Sequence, residues 1–247
     1  MRPRLVILAA GQGQRLRPLT EERPKCLLEV AGKTLLDWHL DAASRVGVQD
    51  IAVVGGYRAE QLAGRPCRLY HNPAYATTNM VETLWCAAPE LHGEVIVAYG
   101  DILYEATVLQ AVLEAQGPTA VIVDVGWRSY WERRFDDPLQ DAESLRFEGE
   151  RIVNIGQKVS VVEEIEGQYI GLMKFDATGL RVFEDVYRAA ACRTMYMTDV
   201  LQAMVEAGHA VRGVPVTRQW LELDSLADFE LAQRCVRAGP DGVRILL

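Results

Sequence analysis

The chain has 247 residues, of which 49% are hydrophobic and 24% charged, a balance typical of folded globular proteins rather than disordered or fibrous ones. The formal net charge of -8 argues against a general nucleic-acid or anionic-membrane binder, and no apolar run approaches the ~18 to 20 residues of a membrane span. The five cysteines are scattered and form no C-x-x-C pair, which argues against a disulfide framework and a zinc site. We therefore expect a cytoplasmic protein with no nucleic-acid or membrane partner.

Strand and helix patterns alternate through the first half of the chain. Short aliphatic runs predict strands over 4–9, 50–55, 68–70, 95–99 and 119–125. Helix patterns separate these runs over 34–46, 58–62, 79–88 and 105–115. Asp37, which follows Thr34 by one helical turn, indicates a capping box at the start of the first helix. This alternation is typical of an α/β fold with a mainly parallel sheet.

The second half of the chain is less regular. Strand patterns cover 145–155, 168–175 and 211–217, and helix patterns cover 177–188 and 198–207. Ser225, followed by Asp228, opens a last helix that is predicted to reach about Ala238, before the stop signals Gly239 and Pro240. The polar and aromatic segment 127–143 has no clear period and is predicted as a loop, either functional or disordered. Because repeats and linkers are absent from the sequence, we expect a single domain over 1–247.

A glycine-rich segment directly follows the first predicted strand. It reads Leu8-Ala-Ala-Gly-Gln-Gly-Gln-Arg-Leu-Arg-Pro-Leu-Thr20, and Arg23-Pro-Lys25 comes next. Gly11 and Gly13 carry no Cβ, so backbone N–H groups there can approach a phosphate closely. Arg15 and Lys25 add cationic donors. A dinucleotide fingerprint and a P-loop are both excluded by the spacing of the glycines, and a G-x-G alone is more often a simple surface turn.

The longer pattern resembles the signature of nucleotidyltransferases that make activated sugars and choline, L-A-A-G-x-G-x-R-L-x-P-L-T followed by P-K. A second stretch, His71-Asn72-Pro73-x-Tyr75 followed by Thr78-Asn79 and Thr83-Leu84, is similar to the N-x-x-Y and N-N-x-x-S-L pattern of phosphocholine and phosphonate cytidylyltransferases. Met80 replaces the second Asn of that pattern and Thr83 replaces its Ser, two departures that bear on base selection.

This resemblance implies a Rossmann-like three-layer α/β fold with a mainly parallel mixed sheet. It implies a nucleotide-binding half over about 1–125 and an acceptor-binding half over about 126–247. The nucleotide contacts that it implies are Leu8, Ala10, Gly11, Gly13, Arg15, Lys25, Thr78, Asn79, Thr83 and Gly100.

Two aspartates are the candidate metal ligands. Asp101 follows a predicted strand, where α/β proteins place ligand-binding residues, although an Asp there can also be a helix cap or a turn residue. Asp224 lies in Trp220-Leu-Glu-Leu-Asp224-Ser, which resembles a W-x-E-I-D-T/S segment of the same enzymes, and it could instead cap the last helix. The resemblance implies Mg²⁺ on Asp101 and Asp224, and it implies catalytic roles for these two residues together with Arg15 and Lys25.

Candidate acceptor-binding residues come from several segments of the second half. Aromatic faces and acidic side chains there could hold a cationic head group through cation–π contacts, although aromatic residues more often belong to the core. Lys158 matches a lysine that holds the acceptor phosphate in related sugar enzymes, or it is an exposed loop lysine. Asp199 could equally lie in the first turn of a helix. The acceptor set is Trp131, Lys158, Tyr169, Asp199, Trp220 and Glu222.

The resemblance implies a Mg²⁺-dependent cytidylyltransferase that transfers CMP from CTP to a small acceptor and releases pyrophosphate. The acceptor would be phosphocholine, an aminoalkyl or hydroxyalkyl phosphonate, or a polyol phosphate. A sugar-1-phosphate uridylyltransferase or thymidylyltransferase is the nearest alternative. A catalytically silent nucleotide-sensing subunit is an alternative of another class, and a homodimer is compatible with the sequence.

Overall fold

A mixed sheet of nine strands forms the centre of the protein in the computed structural model, which describes residues 3–247. The first two residues of the predicted domain lie outside the described residues. The strands of this sheet are β1 (Arg4–Ala9), β4 (Asp50–Gly55), β5 (Arg68–His71), β6 (Val95–Tyr99), β8 (Thr119–Asp124), β9 (Leu145–Glu148), β10 (Arg151–Ile155), β11 (Gln168–Phe175) and β12 (Arg212–Val216). Two-stranded ribbons add β2 (Glu29–Val30) with β3 (Lys33–Thr34), β7 (Ile102–Tyr104) with β13 (Trp220–Glu222), and β14 (Val236–Gly239) with β15 (Gly242–Ile245).

The order of the main sheet is β5-β4-β1-β6-β11-β8-β12-β10-β9. Pairing is parallel from β5 through β6 and between β8 and β12, whereas β11 and β10 run antiparallel to their neighbours. The predicted mainly parallel mixed sheet is therefore confirmed. Because β11 lies between β6 and β8, strands from both predicted halves of the chain form one continuous sheet.

Helices cover both faces of this sheet, which confirms the three-layer fold. In β1, Leu5 and Ile7 join the core on one face, and Val6 and Leu8 join the core on the other, because side chains alternate along a strand. The first core includes residues of α1 (Leu35–Arg45) and α3 (Ala106–Glu114), and the second includes residues of α2 (Met80–Trp85), α5 (Ala177–Ala190) and α6 (Met197–Glu206).

Most predicted elements occur within one or two residues of their expected bounds. Thr34 caps α1 by accepting a hydrogen bond from the backbone N–H of Asp37. Ser225 and Asp228 form the predicted capping box of α7 (Leu226–Cys235). The five cysteines are free, as the sequence predicts, and no helix among residues 3–247 is long and apolar enough to cross a bilayer.

The prediction that segment 127–143 is a loop was wrong. It forms a helix, α4 (Arg128–Arg134), and a short 3-10 turn, Pro138–Gln140. Trp127, Tyr130 and Trp131 are buried in the core, since they lie on one face of this helix. Burial of these aromatic residues gives the segment a fixed structure.

The predicted end of the last helix was also wrong. Helix α7 stops at Cys235, and the chain turns back through Pro240 and Asp241 as the hairpin of β14 and β15. Val236, Val243 and Ile245 of this hairpin are buried. Alternating apolar residues on either side of a Pro-Asp-Gly turn are typical of a hairpin, so Gly239 and Pro240 stop a strand rather than a helix.

Trp220 belongs to the buried core, where its Nε1 donates a hydrogen bond of 2.9 Å to Asp124 Oδ2. Asp124 is fully buried, so it depends on this donor and on the N–H of Gly126. We expect Trp220→Phe to lower the free energy of unfolding by about 1–3 kcal/mol through the lost hydrogen bond, as measured by urea denaturation.

Trp85→Phe is the matched control for this variant, because Trp85 Nε1 has no hydrogen-bond partner among the described residues. A loss of stability in Trp220→Phe no larger than in this control would contradict the importance of the Asp124 contact.

Candidate active site

A cleft opens at the carboxyl ends of β1 and β6, two neighbouring parallel strands. Ala10 to Gly13 follow β1, and Gly100 and Asp101 follow β6. The backbone N–H of Gly100 donates to the carbonyl of Leu8 at 2.8 Å, and a Cβ on Gly100 would lie 2.9 Å from that same oxygen. A glycine is therefore required where these two strand ends meet, and side chains that follow both strands reach the same cleft.

The glycine-rich segment forms a tight turn at the mouth of this cleft. Gly13 has φ of 61°, in the left-handed region that favours glycine, and a 3-10 turn follows over Gln14–Leu16. Thr20 Oγ1 donates a 2.7 Å hydrogen bond to the carbonyl of Gly13 and holds the turn closed. A Cβ on Gly11 would meet no atom within 4 Å, so the backbone at this position is open to a ligand.

An ion cluster joins three of these segments. Lys25 Nζ donates to Asp101 Oδ2 at 2.7 Å and to Asp224 Oδ1 at 2.5 Å. Arg15 donates to the other oxygen of Asp224. The four residues that the resemblance implies as catalytic are thus brought together from positions as far apart in the chain as 15 and 224.

Charge pairing in this cluster shifts the protonation equilibria. Burial alone would lower the pKa of Lys25, but the Asp101 and Asp224 carboxylates outweigh it and hold the pKa above its ordinary value. Burial alone would raise the pKa of Asp224, but Lys25 and Arg15 outweigh it and hold the pKa below its ordinary value. The cluster is therefore a fixed arrangement of two anions and two cations.

Two small adjoining cavities extend from the ion cluster along the glycine-rich turn, and we call them the nucleotide-side cavities. The smaller lies between the turn and Asp101, and its lining includes Gly13, Lys25 and Gly100. The larger, of about 160 Å³, is lined by Leu8, Ala10, Gly11, Tyr75, Thr78, Asn79, Met80, Thr83, Tyr99 and Asp101. Nine of the ten predicted nucleotide contacts line one of these two cavities, and the remaining one, Arg15, lies in the ion cluster.

Asn72 is a buried residue that contacts two residues of the lining of the larger nucleotide-side cavity. It is 1% exposed and directly follows β5, another parallel strand that ends at this edge of the sheet. Its Nδ2 donates to Thr78 Oγ1 at 3.1 Å and to Thr83 Oγ1 at 2.9 Å. Asn72 was not among the predicted site residues, although its place after a parallel strand is the same signal that identified Asp101.

A third cavity lies on the other side of the ion cluster and is predominantly acidic. Its described lining contains four carboxylates and neither Lys nor Arg, so we call it the acidic cavity. Its volume is about 190 Å³, and its lining is Met80, Tyr99, Trp131, Asp141, Glu143, Gln168, Tyr169, Tyr196, Thr198, Glu222 and Asp224. Trp131, Tyr169 and Glu222 of the predicted acceptor set lie here.

The other three predicted acceptor residues lie outside the lining of this cavity. Trp220 is a core residue bonded to Asp124. The Asp199 side chain accepts the backbone N–H of Tyr196 and caps α6, the alternative that the sequence left open. Lys158 is an exposed residue whose charge opposes the rise that burial causes in the pKa of the nearby Glu143.

Glu222 is the most perturbed carboxylate of the acidic cavity. Burial raises its pKa to about 7, the Arg134 guanidinium opposes this rise, and Asp224, Asp101 and Asp141 reinforce it. Its side chain is 25% exposed, toward the cavity. Arg134 was not among the predicted site residues. No pattern near it in the sequence shows which carboxylates its guanidinium contacts.

The model of the MobA-like NTP transferase domain matches residues 5–212 of the chain. The chain belongs to this nucleotidyltransferase family. It is 35% identical over 246 residues to a CTP:phosphoglutamine cytidylyltransferase from Campylobacter jejuni, a match that covers 92% of this chain and 97% of that one. The protein is therefore a nucleotidyltransferase, and this relative supports cytidylyltransferase activity on a phosphorylated small molecule.

Solved structures agree with the fold. The structure of a CTP:phosphocholine cytidylyltransferase from Streptococcus pneumoniae matches this one with a TM-score of 0.73 at 21% identity. The match covers 95% of this chain and 99% of that one. An inositol-1-phosphate CTP transferase from T. maritima has a TM-score of 0.72 at 22% identity and covers 91% of this chain and 90% of its own. At these identities the likeness establishes the Rossmann-like nucleotidyltransferase fold.

The buried amide of Asn72 yields a prediction for the nucleotide-side cavities. Asn72→Ala removes the donor shared by Thr78 and Thr83, so we expect KM for the nucleoside triphosphate to rise roughly tenfold, since an unpaired buried polar group costs about 1–3 kcal/mol. Initial-rate kinetics at saturating acceptor measure this change. Asn154→Ala, on β10 away from the cleft, is the control, and an equal KM in both variants would contradict the assignment.

Proposed function

We propose that this protein transfers CMP from CTP to a small phosphate or phosphonate acceptor that carries a cationic amino group, and that it releases pyrophosphate in a Mg²⁺-dependent reaction. One observation carries the proposal: Lys25 and Asp101 line the smaller nucleotide-side cavity, and Asp224, which Lys25 contacts, lines the acidic cavity. A donor phosphate and an acceptor phosphate would meet at this cluster.

The glycine-rich turn suits the triphosphate. Gly11 leaves its backbone open to the cleft, and the cations Arg15 and Lys25 lie beside the same turn. Backbone N–H groups and fixed cations stabilise the negative charge that develops on a leaving pyrophosphate. The base would lie in the larger nucleotide-side cavity, against the residues that Asn72 holds.

The acidic cavity suits a cationic head group. Four carboxylates with Trp131, Tyr169 and Tyr196 give a lining that attracts an ammonium group by charge and by cation–π contacts. Two of the relatives have names that give an acceptor with such a group, phosphoglutamine and choline phosphate. The hexose or polyol part of a sugar or polyol phosphate is neutral and has no cationic group to pair with these carboxylates. We therefore favour the amine-bearing acceptors over the sugar-1-phosphate alternative.

The reaction is an attack by an acceptor oxygen on the α-phosphorus of CTP. A new P–O bond forms, the bond from the α-phosphorus to the oxygen that bridges to the β-phosphorus breaks, and pyrophosphate leaves with the electron pair. The second pKa of a monoalkyl phosphate is near ~6, so the nucleophile is already largely anionic and needs no general base. Lys25 and Arg15 neutralise charge between the reacting phosphates and orient them.

Asp101 and Asp224 fit a magnesium site. Both accept from one ammonium nitrogen, so a single cation can contact both carboxylates. Mg²⁺ typically binds one or two carboxylates together with substrate phosphates and water. When bound there, Mg²⁺ supplies positive charge at the reacting phosphates.

Pyrophosphate release tests the proposal directly. CTP, UTP, dTTP, ATP and GTP would each be incubated with phosphocholine, 2-aminoethylphosphonate, phosphoglutamine, inositol-1-phosphate and glucose-1-phosphate. We expect release with CTP and an amine-bearing acceptor. Release only with a hexose phosphate would move the protein to the sugar branch, and no release with any pair would favour the silent nucleotide-sensing subunit.

Asp101→Asn is expected to lower kcat by about a hundredfold or more, because it removes one of the two carboxylates around Lys25 and the metal. The measurement is pyrophosphate release at saturating substrates. Asp185→Asn, an exposed position on α5, should leave kcat unchanged and serves as the control. Unchanged turnover in Asp101→Asn would contradict the role of Asp101.

Lys25→Met gives a prediction about the metal itself. In the nucleotide-free protein the Lys25 ammonium occupies the position between the two carboxylates, so its removal should tighten Mn²⁺ binding by about tenfold or more. Electron paramagnetic resonance of free Mn²⁺ measures the affinity. Lys33→Met, which removes a pair with Asp41 and a cation–π contact with Trp38, is the control. Equal Mn²⁺ affinity in wild type and Lys25→Met would contradict the assignment.

A further inference from the structure

Arg134 is a buried cation that the proposed reaction does not yet use. It ends helix α4, and its side chain is only 2% exposed. The guanidinium carbon lies 4.9 Å from the ring centre of Phe135, 5.3 Å from that of Tyr130 and 5.4 Å from that of Trp131. Burial of a cation is costly unless charged partners surround it, so its contacts need an explanation.

Three carboxylates from different segments surround this guanidinium, and the farthest is that of Asp141, whose Oδ2 lies 4.0 Å from Nη1. Its Nε donates to Asp228 Oδ1 at 2.8 Å, its Nη2 donates to Asp228 Oδ2 at 3.3 Å, and its Nη1 pairs with Glu222 Oε1 at 2.5 Å. Asp228 lies in the first turn of α7, and Glu222 ends β13. One side chain therefore ties α4 to both segments that flank Asp224.

Asp228 in turn holds the backbone at Asp224. Its Oδ2 accepts the backbone N–H of Asp224 at 3.0 Å and that of Ser225 at 2.9 Å. The orientation of Asp228 thus determines where the backbone of Asp224 lies. Glu222 and Asp224 are two residues apart, and both line the acidic cavity.

We propose that Arg134 is a positioning residue for the acceptor: it holds Glu222 against the acceptor's cationic group and, through Asp228, holds Asp224 where the phosphates meet. This inference rests on the proposed function. A purely structural role would be to attach α4 to the core, and the experiment separates the two. Arg134 contacts no residue that lines the nucleotide-side cavities, so its loss should raise KM for the acceptor more than KM for CTP.

The test compares Arg134→Met, Arg134→Lys and wild type by steady-state kinetics, with whichever of phosphocholine, 2-aminoethylphosphonate and phosphoglutamine the wild type uses. Arg134→Met should raise acceptor KM about tenfold and lower kcat about tenfold, while KM for CTP changes less than about twofold. Arg134→Lys should recover part of the loss, since one ammonium can pair with one of the carboxylates that Arg134 contacts. Arg128→Met, an exposed residue of the same helix, is the control and should match wild type.

A double-mutant cycle with Glu222→Gln isolates the positioning effect. Glu222→Gln should raise acceptor KM about tenfold in wild type and by less than about twofold in the Arg134→Met background, because Glu222 is already misplaced there. Equal effects of Glu222→Gln in both backgrounds, or a rise in KM for CTP as large as that for the acceptor, would overturn the positioning role.

Folding of each variant is checked by its thermal transition. If Arg134→Met does not fold, the same cycle is run with Arg134→Lys, for which a smaller effect of Glu222→Gln than in wild type is again required. Absence of transfer to any amine-bearing acceptor by wild type would overturn the proposed function itself. Additive effects in an active wild type would overturn only the role of Arg134.

Discussion

The hydrogen bonds from one lysine ammonium to two aspartates bring the site together. Lys25 comes from the segment after β1, Asp101 from the end of β6 and Asp224 from the end of β13, and a single nitrogen contacts both carboxylates. Because the Lys25 side chain is only 13% exposed, its charge would be costly to leave unpaired, and the two aspartates hold it in place. Residues of this cluster therefore line both the nucleotide-side cavities and the acidic cavity.

Charge differs sharply between the two sides of the cluster. The glycine-rich turn presents backbone N–H groups and cations, which suit a triphosphate, whereas the acidic cavity presents four carboxylates. An acceptor with an anionic phosphate at one end and an amine at the other matches this arrangement in only one orientation. Electrostatics would then align the attacking oxygen with the α-phosphorus without a dedicated base.

Local sequence signals were sufficient where the structure depends on local rules. Asp101 and the glycine-rich turn follow buried parallel strands, and Ser225 caps α7 through its neighbour Asp228. Helix α4 was not predicted. Trp127, Tyr130, Trp131 and Arg134 have helical spacing, but Arg134 is charged, so the apolar pattern of a helix is incomplete there. Arg134 is buried by carboxylates up to 94 residues away, and no sequence window contains that information.

Phosphorus-31 NMR of the reaction between CTP and an amine-bearing phospho-acceptor tests the central claim most directly, because it identifies the bond that forms. The account predicts a new pair of coupled phosphorus resonances from a CMP-linked product, which grows in step with pyrophosphate and is lost when Mg²⁺ is chelated. Appearance of orthophosphate without a linked product, or a linked product only with UTP or dTTP and glucose-1-phosphate, would contradict it.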